Sequence, residues 1–225
     1  MFGNAGRTQF DLKFEIRGIS VRVHPLFWLI AAFITWIPQR LDLVLLGILC
    51  VFVSILVHEL GHAVMTRRYG YRGEVVLYAL GGYATTGRFS TWKSIAVSAA
   101  GPGAGFLLAG LVWLVRAWLE QHHPRFIDQG TALNGALRIL WFVNFWWGMV
   151  NFVPCLPLDG GRIMQEIVSR YFPLRSRLRI LWISILSSGA MAAWGLMNRH
   201  DYVLFLFGFI CIQHIVVLKQ RTTFR

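Results

Sequence analysis

The sequence predicts an all-α polytopic membrane protein with about six transmembrane helices and a short β-structure at the membrane edge. Three observations predict this fold class: 56% of the 225 residues are hydrophobic, only 14% are charged, and the apolar residues fall into six runs. Soluble domains carry about 25% charged residues, and a soluble globule of this size cannot bury so much apolar surface. The composition therefore excludes a water-soluble domain and a disordered chain.

Six apolar runs approach the roughly 20 residues that a helix needs to cross a bilayer. The predicted spans lie near Pro25–Ile37, Leu43–Met65, Ser94–Val115, Ile139–Val153, Ile180–Met197 and Tyr202–Leu218. The first and fourth runs are short, so each must tilt or thin the bilayer around it. We expect a single domain over residues 1–225, without a cleavable signal peptide and without an appended soluble module.

Two segments outside the spans predict strands. Lys13–Val23 alternates apolar and polar side chains and is broken at Gly18. Glu74–Leu80 is a second strand candidate, which the following Gly81-Gly82 pair is expected to end. An exposed edge of this second strand could pair with an unwound peptide substrate.

The distribution of basic residues predicts the topology. With six crossings, 17 of the 22 Lys and Arg residues fall on the side of both termini and five on the other side. This bias predicts a multi-pass protein of the cell (inner) membrane with both termini cytoplasmic. Without a crossing by the first run, the split would weaken to 13 against nine. The net charge is +12, and the basic residues lie between apolar runs. They therefore indicate anionic lipid headgroups as partners, and no nucleic acid.

The second predicted span contains an HExxH motif, His58-Glu59-Leu60-Gly61-His62. Residues four apart share one helix face, so both imidazoles can bind one metal ion, with Glu59 beside it as a proton acceptor. An ionisable residue in a span costs about 2.5–3.5 kcal/mol on the insertion scale, so it indicates function. The alternative is a pair of structural histidines that bind backbone carbonyls at the end of a span. Gly61 leaves room for another backbone to approach.

A hydrolytic zinc site needs a third protein ligand and leaves its fourth position to water. Asp159 is the candidate, because Pro154 and Pro157 keep the chain before it non-helical at membrane depth. The predicted topology also brings it to the same membrane side as His58 and His62. The alternative for Asp159 is an N-cap on a helix that begins near Gly161.

The combination of motifs resembles the site-2 protease family of intramembrane zinc metalloproteases. The resemblance is carried by His58-Glu59-Leu60-Gly61-His62, by Ala100-Gly101-Pro102 and by the stretch from Asn151 through Pro154 and Pro157 to Leu158-Asp159-Gly160-Gly161. It implies one zinc ion per chain held by His58, His62 and Asp159, with Glu59 as general base and Asn151 as the donor on the oxyanion side. It also implies a membrane-protein substrate with a transmembrane helix. The chain looks like a minimal core without a PDZ or nucleotide-sensing domain, and Gly105 stands where many members have Asn.

The sequence therefore predicts an intramembrane zinc endopeptidase that hydrolyses peptide bonds within or near transmembrane helices of single-span membrane proteins. The alternatives are a metal-ion transporter and an inactive scaffold that binds helices. Metal transport does not explain Glu59 at the fixed second position of the motif, which favours the enzyme. Asn144 is interpreted equally as a cavity-facing group or as an interhelical hydrogen-bond donor. His24 is interpreted either as a structural histidine or as a group that lines the entrance to the site. Gln213 and His214 could act in gating or metal entry, but no motif supports such a role.

Overall fold

The computed structural model describes residues 6–78, 81–84, 89–128 and 130–223. In chain order the strands and helices are β1 (Leu12–Ile16), β2 (Ile19–Val23), α1 (Pro25–Ile34), α2 (Leu41–Arg68), β3 (Glu74–Tyr78), β4 (Gly81–Ala84), α3 (Thr91–His122), α4 (Ala132–Asn151), α5 (Asp159–Tyr171), α6 (Ser176–Met197) and α7 (Asp201–Thr223). A short 3-10 helix at Pro124–Ile127 precedes α4. The predicted combination of a largely helical chain and a small sheet is confirmed.

Four strands form a sheet in the order β1-β2-β3-β4, in which β2 and β3 are parallel and the other pairs are antiparallel. Arg17 and Gly18 both have positive φ, 48° and 79°, as a type I′ hairpin turn requires. The predicted break at Gly18 is therefore the turn of a hairpin.

The predicted free edge at Glu74–Leu80 is wrong, because β3 is paired on both sides. The Gly81-Gly82 pair does not end the structure there; it begins β4, which is an outer strand of the described sheet. Leu80, at the predicted end of the strand, lies outside the described residues.

Within the part of the chain that the structure describes, α2, α3, α6 and α7 are long and apolar enough to cross a membrane. The other two predicted spans are weaker. Helix α1 has 10 residues, a length of about 15 Å. Helix α4 has 20 residues, but Asn134, Arg138, Asn144 and Asn151 interrupt its apolar sequence. The structure thus supports an integral membrane protein without confirming the count of six spans.

Residues 1–88 and 100–148 form one compact unit. Its core joins the sheet to α1 and α2 through Ile19, Val21, Val23, Phe27, Ala31, Ile55, Ala63, Val75 and Leu77. His24 is the N-cap of α1: its Nδ1 accepts a hydrogen bond from the Leu26 amide at 3.1 Å. Its ring also packs edge-on against Tyr78, with centroids 4.9 Å apart. These contacts give His24 a structural role.

Residues 89–99 and 149–225 form a second compact unit. Cys155, Phe207 and Ile210 are buried at the centre of its largest described cluster. Helix α6 holds the segment that precedes α5. The Ser184 hydroxyl accepts a hydrogen bond from the Leu156 amide at 3.3 Å, and the Ser187 hydroxyl donates to the Pro154 carbonyl at 3.0 Å.

Candidate metal centre

Helix α2 carries a buried polar stripe formed by Ser54, His58, His62 and Thr66, each about one turn from the next. Because residues four apart lie one above the other on a helix, these side chains share one face. Glu59 is also buried, with 5% of its surface exposed. The HExxH motif predicts the two histidines and Glu59 as site residues, but it does not predict Ser54 and Thr66. Ser54 lies four residues before His58, and Thr66 lies four residues after His62. This spacing places both on the helix face of the histidines and could have predicted them.

The two histidines of the motif are arranged as a metal-binding pair. Their Nε2 atoms lie 3.2 Å apart, and their rings are nearly perpendicular, with centroids at 4.9 Å. Zinc–nitrogen bonds of about 2.0–2.1 Å in a tetrahedral site place two ligand nitrogens roughly 3.3 Å apart. The distance between the two imidazoles therefore suits a shared zinc ion.

Asp159 is the first residue of α5 and is 6% exposed. The N-cap of this helix is Leu158, so the interpretation of Asp159 as a cap is wrong: the helix begins two residues before the predicted Gly161. In the first turn, the carboxylate is stabilised by the positive end of the helix dipole.

The two glycines after Asp159 let the first turn of α5 pack closely against the chain before it. A Cβ at Gly160 would lie 2.3 Å from the carbonyl oxygen of Phe152, and a Cβ at Gly161 would lie 2.3 Å from the carbonyl carbon of Cys155. Real Cβ atoms do not approach backbone so closely, because overlap inside a packed interior is costly. The Gly-Gly pair is therefore required by the local packing that holds Asp159 in place.

His58, His62 and Asp159 are buried, and each offers one atom that could bind a metal ion. Two imidazoles and one carboxylate are a donor set of catalytic zinc sites, which keep the fourth position for water. The residues present thus fit zinc.

The backbone of α3 lies directly against the motif. A Cβ at Gly61 would lie 2.3 Å from the carbonyl oxygen of Ala100, and a Cβ at Gly101 would lie 2.2 Å from Nε2 of His62. The expectation that Gly61 makes room for another backbone is confirmed. Only a residue without a side chain fits at either position, since small residues permit such close helix contacts.

Asn144 joins α4 to α2. Its amide nitrogen donates to the Ser54 hydroxyl and to the Leu140 carbonyl, both at 2.8 Å. Of the two interpretations of Asn144, the structure supports the interhelical hydrogen bond. The Asn144 side-chain oxygen also lies 3.7 Å from the place where a Cβ on Gly105 would be.

The remaining candidate residues lie on α4 and α7. Asn151 is the last residue of α4 and is buried, at 5% exposure. Gln213 is exposed on α7. His214 Nδ1 lies 2.8 Å from the Ile210 carbonyl of its own helix. Neither Gln213 nor His214 belongs to the described metal-binding group.

Comparison with known proteins agrees with this fold. The model of peptidase family M50 matches residues 46–134, a range that contains the HExxH motif and ends before Asn151 and Asp159. The site-2 protease from Methanocaldococcus jannaschii has the same fold, with a TM-score of 0.63 and 24% identity over 91% of this chain and 94% of that one.

The curated relatives include a zinc metalloprotease, a putative zinc metalloprotease and a sporulation protein. A zinc metalloprotease of Methanocaldococcus jannaschii is 27% identical over 91% of this chain and 56% of its own length. A putative zinc metalloprotease of Synechocystis is 31% identical over 55% of this chain and 31% of its own length. Stage IV sporulation protein FB of Bacillus subtilis is 28% identical over 84% of this chain and 63% of its own length. This chain therefore spans about half the length of the first of these relatives.

The chain thus has the fold of a site-2 protease and is similar in sequence to zinc metalloproteases. The resemblance to the site-2 protease family of intramembrane zinc metalloproteases, inferred above from sequence motifs, is confirmed, as is zinc as the cofactor of this class.

Proposed function

We propose that this protein is an intramembrane endopeptidase that cuts single-span membrane proteins within or near their transmembrane helices. The observation that carries the proposal is the buried pair of imidazoles with Glu59 beside it, on a helix long and apolar enough to span a membrane. Ionisable groups are expensive at that depth and persist where they have a function. The M50 match over the same helix supports proteolysis as that function.

His58, His62 and Asp159 hold the metal ion in this proposal. Bound there, zinc supplies Lewis acidity and lowers the pKa of a water molecule toward about 7. Glu59 follows the first ligand on the same turn of α2, which suits a carboxylate that takes the proton of the attacking water. Glu59 then delivers this proton to the amine that leaves, so that one residue is base and acid in turn.

Asn151 is the proposed hydrogen-bond donor to the oxyanion that forms when the peptide carbonyl is attacked. Its buried position at the end of α4 suits this role, because a fixed donor in a dry site stabilises developing charge without reorganisation. As a neutral amide it adds no negative charge that would compete with the substrate for the metal.

We further propose six membrane crossings, by α1, α2, α3, α4, α6 and α7, in the cell (inner) membrane with both termini in the cytoplasm. The uneven distribution of Lys and Arg residues supports this orientation. Anionic lipid headgroups are the proposed partners of the basic side.

The proposed function is tested by replacing Glu59 with Gln in purified protein and measuring bound zinc and cleavage of single-span helices. Because general base catalysis contributes about 10²- to 10⁴-fold, Glu59→Gln is expected to lose activity by at least that lower factor while keeping one zinc ion. The exposed Glu15 of β1 gives the matched control, since Glu15→Gln makes the same chemical change away from the motif. Unchanged cleavage by Glu59→Gln would contradict Glu59 as the general base, whereas wild-type protein that binds zinc but cleaves none of the helices would favour the transporter or the scaffold.

A further inference from the structure

We propose that a cleft between α3 and α4 binds one anionic glycerophospholipid. The cleft is about 670 Å³ in volume and is lined by the last turns of α3, around Arg116 and Glu120, and the first half of α4, around Arg138. This volume lies in the range of about 300–1,000 Å³ that is typical of small-molecule sites. The proposal goes beyond the proposed proteolysis, since none of these residues belongs to the metal-binding group or its catalytic partners.

The charges that line the cleft match one phosphodiester. Arg116 Nε donates to a carboxylate oxygen of Glu120 at 2.9 Å, so these two charges neutralise each other along α3. Arg138 is exposed and has no ion pair or hydrogen bond among the residues that the structure describes. The lining thus carries one uncompensated positive charge, and a guanidinium binds phosphate oxygens through several donors at once.

The walls of the same cleft are aromatic and apolar. A water-soluble anion has no apolar part that would contact them. Trp113, Trp141 and Phe142 line it with 59%, 36% and 58% of their surfaces exposed. Tryptophan is enriched at membrane–water interfaces, where its ring meets the boundary between headgroups and acyl chains. A ligand with a phosphate at Arg138 and hydrocarbon against these rings is a lipid.

An anionic lipid fits better than a zwitterionic one. A headgroup with its own ammonium needs a free carboxylate, whereas Glu120 is already paired with Arg116. A lipid with a net charge of −1 leaves the Arg116–Glu120 pair intact and neutralises Arg138.

The test is native mass spectrometry of the detergent-purified full chain with added dioleoylphosphatidylglycerol, and in a second arm with dioleoylphosphatidylcholine. Wild type is expected to bind the first lipid more tightly. Because a charge-assisted hydrogen bond is lost, Arg138→Gln should weaken phosphatidylglycerol binding about tenfold. Arg125→Gln, which removes the same charge from the 3-10 helix outside the cleft, should bind as wild type does. Glu120→Gln frees Arg116 and should tighten binding.

Three results would overturn the proposal. The first is equal binding by Arg138→Gln and Arg125→Gln. The second is equal binding of the two lipids together with weaker binding by Glu120→Gln, which would indicate a zwitterionic headgroup. The third is full displacement of the lipid by millimolar sn-glycerol 3-phosphate, which would indicate a site for a soluble anion. Bound zinc is measured in every variant, so that loss of lipid is not confused with loss of the fold.

Discussion

At the scale of single residues, the site depends on the absence of a side chain at two glycines. Gly61 lies against the backbone of Ala100, whereas Gly101 lies against the imidazole of His62. The same substitution therefore has different consequences at the two positions. A methyl group at Gly61 meets a carbonyl oxygen that cannot move without moving α3, and a methyl group at Gly101 displaces a proposed zinc ligand.

Gly101→Ala is accordingly expected to weaken zinc binding more than it weakens the fold. Changes next to metal ligands typically cost roughly ten- to a hundredfold in metal affinity. Zinc affinity, measured by competition with a chelator in detergent, checks this. Gly103→Ala is the matched control two residues away, because a Cβ there meets nothing within 4 Å. Wild-type zinc affinity in Gly101→Ala would contradict the described contact.

At the scale of elements, the position of α2 depends on a hydrogen bond rather than on apolar packing alone. Asn144 donates to Ser54, which itself donates to the Cys50 carbonyl one turn earlier. Ser54 precedes His58 by one turn, so this bond fixes α4 to the stripe of α2 that carries the motif. Both residues are buried, at 3% exposure.

Removing this bond is expected to lower the free energy of unfolding by about 1 kcal/mol, within the range measured for hydrogen bonds between transmembrane helices. The measurement is a double-mutant cycle of Ser54→Ala and Asn144→Ala, followed by unfolding in mixed detergent micelles. Because each single variant breaks the same bond, the double variant should lose less than the sum of the two. Strict additivity would show that the two side chains act independently.

The β1–β2 hairpin is held at its base by Asp11. The Thr8 hydroxyl donates to one carboxylate oxygen at 2.6 Å, and Arg22 Nη1 donates to the other at 3.0 Å. These hydrogen bonds, that of Thr8 first, lower the pKa of Asp11 from 3.8 to about 2. Because the pKa of Asp11 is lower in the folded hairpin than in the unfolded chain, ionisation of Asp11 stabilises the folded hairpin.

The hairpin is therefore expected to lose stability as the pH falls from about 4 to about 2, and to keep its full stability above that window. Hydrogen exchange of residues 12–23, corrected for the intrinsic exchange rate at each pH, measures this. Asp11→Asn removes the titrating group, so its hairpin should be less protected at pH 7 and independent of pH in that window. An equal fall of protection in wild type and Asp11→Asn would contradict the role of Asp11.

At the scale of the whole molecule, the topology depends on how many helices cross the membrane. Four described helices are long and apolar enough, and α1 is shorter than a bilayer is thick. The proposed crossing by α1 decides on which side the N-terminus lies. The positive-inside rule favours a crossing, because it places the basic N-terminal residues on the side that carries most of the others.

Labelling with a membrane-impermeant maleimide in intact cells tests this topology. Arg125→Cys, between α3 and α4, is expected to react from outside. Arg7→Cys and Arg175→Cys are expected to react only after permeabilisation. Wild type gives the background of the native thiols, of which Cys50 and Cys155 are buried. Reaction of Arg7→Cys from outside would show that α1 does not cross.

Much of this architecture follows from local sequence patterns. The apolar runs predict where the long helices lie, the spacing of His58 and His62 predicts that the two imidazoles share one helix face, and the break at Gly18 predicts a discontinuity that proves to be a hairpin turn. Such features depend on residues within one or two turns of each other, so periodicity alone reveals them. The boundaries were less accurate: α3 extends seven residues past the predicted Val115, to His122.

What the sequence by itself determined is thus the membrane class, and it predicts His58 and His62 as a metal-binding pair with Asp159 as the third ligand. Only the tertiary structure decided that Asn144 bonds to Ser54, that β3 lies inside the sheet, and that Gly101 faces His62. The physical reason is the range of the contacts. A helix face repeats every few residues and is visible in a sequence, whereas partners about 40 to 100 positions apart are chosen by packing.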